Sequence, residues 1–340
     1  MFNTKLKKLS GLMLLSASLT LTGCDWFESD SGGGDDDDIP YAVVSGSALK
    51  GLLIGADVNF YHHSDLTNSA FSTTTDSEGN YNLEAPTEDF GIYVVRVTAN
   101  GDTTMICDAL DCGVDAAGVL IGFGGTVPAN LLTGVELSNL IFVDELSIPQ
   151  TAQVNAITSV ATEVFIETVI SDENFDPAAV TVDGFSNIQE SVSTTVAVMF
   201  GVDVTAGTNV FELTLPNPND STELAAATSA EAGFAMINSA IATSSGESIA
   251  ASVDAVVETA STLVNSDTTE SDQAWLDTQA ALLAETVALV NSDAVTIPAD
   301  VATELEDAAN DGANLGEIDQ AIEDGKEVSP TGGTGGTTAG

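Results

Sequence analysis

Hydrophobic residues in this chain follow two different periodicities, and the change between them falls near Pro149. From Tyr41 to about Val143, short runs rich in Val, Ile, Phe, Tyr and Thr alternate with turns rich in Gly, Asn and Asp, which is typical of β-strands. After Pro149, apolar residues recur at three- and four-residue intervals, as they do along one face of an α-helix. The sequence therefore predicts an α+β protein in which a β part precedes a helical part.

The β part is predicted to contain seven strands. They are Ala42–Leu49, Ala56–His62, Ser69–Thr75, Asn80–Glu84, Ile92–Thr98, Gly118–Phe123 and Val135–Phe142. Asp76 and Gly79 bound a predicted hairpin turn, because glycine readily adopts the positive φ that such turns require. Arg96 is one of only six basic residues in the chain, so we expect it to pair with a carboxylate in a structural role.

The helical part shows several apolar faces. They comprise Ile157, Val160, Ala161, Val164, Phe165 and Val169; then Ile188, Val192, Val196, Met199 and Phe200; then Trp275, Leu276, Leu282, Leu283, Val287, Leu289 and Val290. Gly201 is expected to end the second helix, and the spacing of Asp220 and Glu223 predicts a capping box that opens a helix to about Thr243. The abundant Ala, Ser and Thr residues favour closely packed helices, most simply a bundle.

The first residues have the parts of a signal peptide. Three lysines precede an apolar stretch at residues 12–21, which is too short to cross a bilayer as a helix of roughly 20 residues. The stretch ends in Leu21-Thr-Gly-Cys24, which resembles the lipobox of bacterial lipoproteins. The resemblance implies cleavage before Cys24, acylation of that cysteine and anchoring in a membrane of the bacterial cell envelope. An ordinary signal peptide followed by a chance cysteine is the alternative.

The identity of that membrane depends on Asp25, which follows the cysteine directly. In enteric bacteria this arrangement resembles a signal for retention at the inner membrane, whereas other lineages display lipoproteins with acidic leaders at the cell surface. We expect the outer membrane, with a periplasmic or surface-exposed position.

The charge of the mature chain restricts its partners. Cleavage before Cys24 would leave Lys50, Arg96 and Lys326 against 52 acidic residues, a formal net charge of −49. Such a surface excludes nucleic acid as a partner, because it has no basic patch to neutralise phosphates. It is also repelled by anionic lipid heads, so the folded part is expected to stand away from the membrane.

Two cysteines remain beyond the lipobox, Cys107 and Cys112. An even pair in an exported chain predicts a disulfide, here closing a short loop. A metal site is the alternative, but it is disfavoured because His62 and His63 are the only histidines that could complete it.

The β part resembles the carboxypeptidase regulatory-like domain over about 60 residues. The matching segments are Val44-Ser-Gly46, Lys50-Gly-Leu-Leu-Ile-Gly-Ala56, Thr74-Thr-Asp-Ser-Glu-Gly-Asn-Tyr-Asn-Leu83 and Tyr93-x-Val95-x-Val97. The resemblance implies a prealbumin-like (Ig-like) β-sandwich. The expected fold class is thus an α+β multidomain protein, with an N-terminal β-sandwich followed by an α-helical bundle. The expected segments are a signal peptide at 1–23, an acidic Gly/Asp tether at 24–39, the sandwich at 40–148, the helical domain at 149–328 and a disordered tail at 329–340.

Catalytic motifs are not evident in the sequence. No His-Glu-x-x-His, Gly-x-Ser-x-Gly or phosphate-loop pattern occurs, and His62 and His63 are expected to point to opposite faces of a strand. One segment, from Asp172 to Asp183, has oxygen donors spaced like those of a calcium-binding loop. The alternative is that Asp176 caps a short helix with Pro177 in its first turn.

These observations favour a non-enzymatic protein without a cofactor, acting as a membrane-anchored binding or adhesive module. Its partner would be a protein or carbohydrate ligand at the cell surface, with calcium as an additional candidate ligand. The alternative is a structural subunit or stalk of an extracellular assembly, in which strand edges pair between copies. A module associated with an enzyme is a third hypothesis, disfavoured because titratable residues other than Asp and Glu are nearly absent.

Overall fold

The computed structural model describes residues 41–86, 90–144, 149–171, 175–204, 207–242, 248–266, 268–312, 314–326 and 328. Strands dominate the first part of this range and helices the rest, which confirms the predicted order of a β part followed by a helical part.

The strands are short and most fall where the sequence predicts them. They are β1 (Tyr41–Leu49), β2 (Leu52–Ile54), β3 (Asp57–His62), β4 (Phe71–Thr74), β5 (Asn80–Pro86), β6 (Gly91–Thr98), β7 (Thr104–Ile106), β8 (Thr126–Val127), β9 (Glu136–Val143), β10 (Gln150–Thr151) and β11 (Val154–Asn155). Six of the seven predicted strands have a counterpart. β2, β7, β8, β10 and β11 were missed because strands of two or three residues leave almost no periodic signal.

The predicted strand at Gly118–Phe123 is wrong. The segment makes only an isolated bridge between Val114 and Leu120. Gly118 has a φ of +78°, and the Asp115 carboxylate accepts backbone hydrogen bonds from Ala117 and Val119, at 2.8 and 2.9 Å. The aspartate and glycine therefore build a tight turn where the apolar run alone indicated a strand.

The strands form one curled, mixed sheet. Its order is β4-β3-β6-β9-β11-β1-β2-β7-β8, with β5 and β10 also paired to β1. The long strand β1 pairs with β5 and β10 along residues 41–47 and with β2 and β11 along residues 48–49, so the sheet bends around it. β10 and β11 run parallel to β1 although they follow Pro149, so the helical pattern starts only at Ala156.

Two segments of the regulatory-like resemblance meet beside β1. The Tyr81 hydroxyl donates a hydrogen bond of 2.5 Å to the backbone carbonyl of Ala152. A side chain at Gly46 would collide with that carbonyl and with the Tyr81 hydroxyl, so glycine is required there for steric reasons. Burial raises the pKa of Tyr81, which keeps the hydroxyl protonated as a donor.

Two local predictions in the β part are confirmed. The Asp76 carboxylate accepts backbone hydrogen bonds of 2.8 and 2.9 Å from Glu78 and Asn80, and Gly79 has a φ of +70°. Arg96 Nε lies 3.6 Å from a carboxylate oxygen of Glu136 on the neighbouring strand β9. The turn follows from local spacing, whereas the pairing of β6 with β9 decides which carboxylate meets Arg96.

The helices follow in chain order. They are α1 (Ala129–Leu132, before β9), α2 (Ala156–Phe165), α3 (Val182–Phe200), α4 (Ser221–Ala226), α5 (Ser229–Ala240), α6 (Ile249–Asn265), α7 (Thr269–Val290), α8 (Ala299–Asp311) and α9 (Leu315–Lys326). A π-helical segment, Ile166–Ile170, extends α2. Gly201 ends α3 with a φ of +68°, as predicted.

The single helix predicted from Asp220 to about Thr243 is wrong. Ala227 is extended, with a ψ of 153°, and separates α4 from α5. The Glu223 carboxylate accepts from the Asn217 backbone N–H, at 2.8 Å, instead of closing the expected capping box. Thr228 and Glu231 form the capping box of α5 in its place.

Helix α2 joins the helical part to the sheet. Asn155 ends β11 and caps α2, so strand and helix follow without a loop. The Ser159 hydroxyl accepts a 2.8 Å hydrogen bond from the Ser138 backbone N–H on β9, and the Thr158 hydroxyl donates one of 2.7 Å to the Ser138 carbonyl. Buried side chains of both parts therefore form one continuous hydrophobic core.

Candidate binding surface

A disulfide-bonded loop follows β7. Cys107 and Cys112 are bonded, as predicted, with their Cα atoms 6.0 Å apart and both side chains buried. The Cys107 backbone exchanges hydrogen bonds of 2.8 and 2.9 Å with Gly125 and Gly124, and the Cys112 N–H donates to Ile121, at 2.8 Å. The loop is therefore fixed at both ends by the disulfide and by backbone pairing.

An exposed hairpin follows the disulfide. The Ile121 N–H donates to the Gly113 carbonyl, at 2.8 Å, which closes the segment 113–121 around the turn at Asp115. We call this segment the apolar hairpin. It lacks a neighbouring strand of the sheet and is attached to the fold through the buried disulfide.

The apolar hairpin carries most of the exposed large hydrophobic side chains. Within the described ranges, five such side chains are exposed, and three of them are Val114, Val119 and Leu120, at 53, 61 and 56%. Isolated exposed apolar residues are ordinary on protein surfaces, but a group on one element marks an interaction site more often. This grouping on an ordered turn is what distinguishes the hairpin from the rest of the described surface.

A pocket of about 610 Å³ lies beside the hairpin, within the size range of small-ligand and side-chain pockets. Its apolar lining comes from the disulfide loop, from α1 and from the start of α6. The main apolar contributors are Leu110, Cys112, Val114, Leu131 and Ile249. Asp111 and Glu285 add carboxylates to the lining. The pocket therefore suits an apolar group that carries or adjoins a positive charge.

A buried ion pair holds the disulfide loop from beneath. Lys50, in the turn between β1 and β2, and Asp108 are both 0% exposed, with Nζ and Oδ1 3.5 Å apart. The Gly51 N–H donates to the other oxygen of Asp108, at 2.7 Å. Lys50 Nζ also donates to the backbone carbonyls of Asn238 and Ser239, at 2.6 and 3.2 Å, near the end of α5. Burial lowers the pKa of Lys50, while the charge of Asp108 opposes that change.

The two histidines lie together, contrary to the prediction that they point to opposite faces. β3 ends at His62, so His63 no longer follows the alternation of the strand, and the ring centroids are 4.2 Å apart. His62 Nδ1 lies 2.7 Å from the Ser64 hydroxyl, while its Nε2 faces the uncharged Phe90 carbonyl at 3.4 Å. Burial and the neighbouring His62 lower the pKa of His63. No carboxylate orients this pair, so a catalytic triad is not assembled from the side chains described here.

The other predicted sites differ in how far the structure describes them. Cys24 and the first three positions of the calcium-like segment, Asp172 to Asn174, lie outside the described residues. Asp176 caps a short 3₁₀ helix, Pro177–Ala179, as the alternative interpretation proposed. Asp183 lies in the first turn of α3, whose cap is Thr181. Across the described ranges, no group of three or more His, Cys, Asp or Glu side chains is arranged to hold a metal ion.

Where the structure describes the chain, no helix combines the length and apolar character needed to cross a membrane. No protein-family model matches the chain, and no curated protein matches it significantly.

Sequence reasoning did not identify the apolar hairpin or the buried ion pair. The second half of the hairpin was predicted as part of a strand, Gly118–Phe123, because of its apolar composition. Lys50 stood out only as one of few cations, and nothing in local spacing connects it to Asp108, 58 positions away in sequence. The one available signal was a lysine directly after a predicted strand and before the apolar run Leu-Leu-Ile54.

Proposed function

We propose that this chain is an exported lipoprotein, anchored through acylated Cys24 in the outer membrane, and that it acts as a non-enzymatic binding or adhesive module. Its β part would be a carboxypeptidase regulatory-like β-sandwich and its helical part a bundle, which together present the apolar hairpin. The lipobox resemblance supports the anchor. The observation that carries the binding role is the group of exposed apolar side chains on a disulfide-fixed hairpin beside a pocket.

The chemistry of the hairpin favours a polypeptide ligand over a carbohydrate. Its exposed side chains are aliphatic, whereas sugar rings are commonly bound against aromatic faces, and none of the exposed large hydrophobic residues described here is aromatic. Asp111 and Glu285 line the adjacent pocket, and Asp115 lies in the turn of the hairpin itself. The expected ligand is therefore a protein segment with an apolar side chain flanked by Lys or Arg, which a chain of strongly negative net charge would also attract over distance.

A peptide array tests this role. The full-length protein is applied to immobilised peptides in which one Leu, Ile or Trp is flanked by Lys and Arg, and binding is compared with that of Val119→Ser/Leu120→Ser. Burial of each aliphatic side chain contributes about 1.5–3 kcal/mol, so we expect the double variant to bind at least about tenfold more weakly. Val182→Ser removes an equally exposed valine at the start of α3 and serves as the matched control. Equal binding by the double variant and the wild type would refute the assignment.

The anchor is tested separately. Metabolic labelling with a fatty-acid probe should mark the wild-type protein, and Cys24→Ser should abolish the label and leave the precursor uncleaved. A label that persists in the variant would contradict the lipobox assignment without affecting the peptide measurement.

A structural subunit of an extracellular assembly is the alternative proposal. It rests on β4, which ends the sheet order and is only four residues long, with Ser72 and Thr74 exposed. An edge so short provides few backbone groups for pairing between copies, and natural proteins use short edges to prevent such pairing. Size-exclusion chromatography of the full-length protein in detergent distinguishes the two proposals, because the binding module should elute as a single copy.

A further inference from the structure

Lys50 is unusual for a lysine because its whole side chain is buried. Lysine is almost never fully buried unless paired, since transfer of an ammonium group out of water is strongly unfavourable. Lys50 and Asp108 are both fully buried, as are Asn238 and Ser239, whose backbone carbonyls accept from Nζ. The two groups thus face each other where water does not stabilise their charges.

We propose that Lys50 and Asp108 react to form an intramolecular amide bond between Nζ and Cγ, so that the turn after β1 and the disulfide loop become covalently joined.

The arrangement around Nζ prepares the amine for attack. Its two closest acceptors are the carbonyls of Asn238, at 2.6 Å, and Ser239, at 3.2 Å. A neutral amine can donate its two N–H groups to these two carbonyls. Its lone pair is then directed at the third neighbour, Asp108, whose Oδ1 lies 3.5 Å from Nζ. Burial lowers the pKa of Lys50 and so favours this neutral form.

The arrangement around Asp108 differs between its two oxygens. Oδ2 accepts the Gly51 N–H at 2.7 Å, which polarises the carbonyl as a backbone donor does in an oxyanion hole. Oδ1 accepts no hydrogen bond from the side chains and backbone described, and lies closest to the amine. Gly51 has a φ of +56°, and a side chain there would collide with the Ile106 carbonyl, so this close approach requires glycine.

The reaction balances without any further reagent. The ammonium of Lys50 gives one proton to Oδ1 of Asp108, which leaves a neutral amine and a neutral carboxyl group. The amine then bonds to Cγ, the bond between Cγ and Oδ1 breaks, and Oδ1 leaves as water with the transferred proton and one more from Nζ. The product keeps one N–H, for which the closer acceptor is the Asn238 carbonyl. Two buried charges disappear, and with them the desolvation penalty of the ion pair.

Few trypsin sites make the bond easy to detect. Beyond Cys24, trypsin can cleave only after Lys50, Arg96 and Lys326. Without the amide, denatured and reduced protein yields separate fragments that end at Lys50, span 51–96 and span 97–326. With the amide, trypsin does not cleave after Lys50, and the segment ending at Arg96 stays attached to 97–326. The disulfide does not interfere, because both cysteines lie within 97–326.

The experiment digests the reduced, alkylated full-length protein under denaturing conditions and measures the fragments by mass spectrometry. We expect one linked species, lighter by one water than its two segments combined. Lys50→Arg keeps a cation and a trypsin site but has no amine to acylate, so fragments 51–96 and 97–326 should separate from each other and from the fragment that ends at position 50. Asp108→Ala should do the same, and neither control depends on the variant being folded when it is digested. Separate fragments from the wild type, with no loss of water, would overturn the proposal and leave Lys50 and Asp108 as an ion pair.

Discussion

Lys50 and Arg96 are both cations of the β part with a carboxylate neighbour, yet their environments are opposite. Lys50 and Asp108 are fully buried, whereas Arg96 and Glu136 keep 27 and 50% of their side-chain surface exposed. Arg96 also lies over the Tyr61 ring, 4.9 Å from its centroid. Water can replace the partner of Arg96 but not that of Lys50. The comparison teaches that burial, more than distance, decides what each pair contributes to the structure.

The largest effect should follow the loss of Asp108. Asp108→Ala removes the partner of Lys50 and leaves a buried amine that is either charged without a counterion or neutral at a cost. Breaking a buried pair in this way destabilises a protein by about 3–5 kcal/mol. Urea denaturation followed by circular dichroism measures the change. The double variant Lys50→Met/Asp108→Leu is the control, since it removes both polar groups and should recover much of the loss. If Asp108→Ala lowered the free energy of unfolding by less than the roughly 1 kcal/mol of an exposed pair, the comparison of the two environments would be wrong.

The disulfide should contribute less than the pair beneath it. A bond that closes so short a loop stabilises by about 2 kcal/mol in the chain-entropy description. Cys107→Ser/Cys112→Ser should therefore lower the midpoint of urea denaturation by less than Asp108→Ala does. The apolar hairpin should lose protection from hydrogen exchange in the same variant, because the disulfide fixes its base. Unchanged exchange in residues 113–121 would show that backbone pairing alone orders the hairpin.

Arg96 should contribute at most about 1 kcal/mol, because exposed ion pairs are screened by solvent. Arg96→Met keeps most of the aliphatic contact with Tyr61 and removes the charge. Thermal denaturation should show a small destabilisation at low salt that shrinks as sodium chloride is added. Lys326→Met gives a matched control, since Lys326 lies 2.8 Å from Glu323 in an exposed pair. If Arg96→Met destabilised the protein as much as Asp108→Ala, the buried and the exposed pair would not differ in what they contribute.

Glu163 provides the smallest and most specific test. Burial raises the pKa of Glu163, the charge of Glu167 raises it further, and Ser261 and Arg96 oppose the change. Because its pKa is higher in the folded state, Glu163 stabilises the fold at pH values below its ordinary pKa of 4.5. This contribution is lost as the pH rises through the folded-state pKa. Glu163→Gln should therefore melt a few tenths of a degree to a few degrees higher than wild type at pH 8, with the two converging near pH 4. A melting temperature of Glu163→Gln below that of the wild type at pH 8 would contradict the raised pKa of Glu163.

Predictions from the sequence succeeded where the signal was local. The turn from Asp76 to Gly79 and the helix end at Gly201 depend on one or two residues whose backbone preferences are strong. Strand β6 was found because Ile and Val occupy four of its eight positions and Tyr93 and Thr98 also favour strands. The disulfide followed from counting cysteines, since only two remained to pair.

Predictions failed where a tertiary neighbour decides the outcome. The segment Gly118–Phe123 has the composition of a strand, but it folds back on residues 112–114 and makes only one bridge, between Leu120 and Val114. The helix after Asp220 breaks at Ala227 because Glu223 bonds Asn217 and Thr228 starts a new cap. His63 lies against His62 because β3 ends at His62, so His63 does not continue the alternation of the strand.

The sequence by itself determined the order of β and helical parts, the strongly negative net charge and the pairing of Cys107 with Cys112. These properties depend on composition, periodicity and the number of available partners, all of which can be read along the chain. Only the tertiary structure decided that Lys50 meets Asp108 under the disulfide loop and that Val114, Val119 and Leu120 face solvent. Both outcomes depend on which distant segments pack together, because exclusion of water from a site is a property of all the elements that surround it.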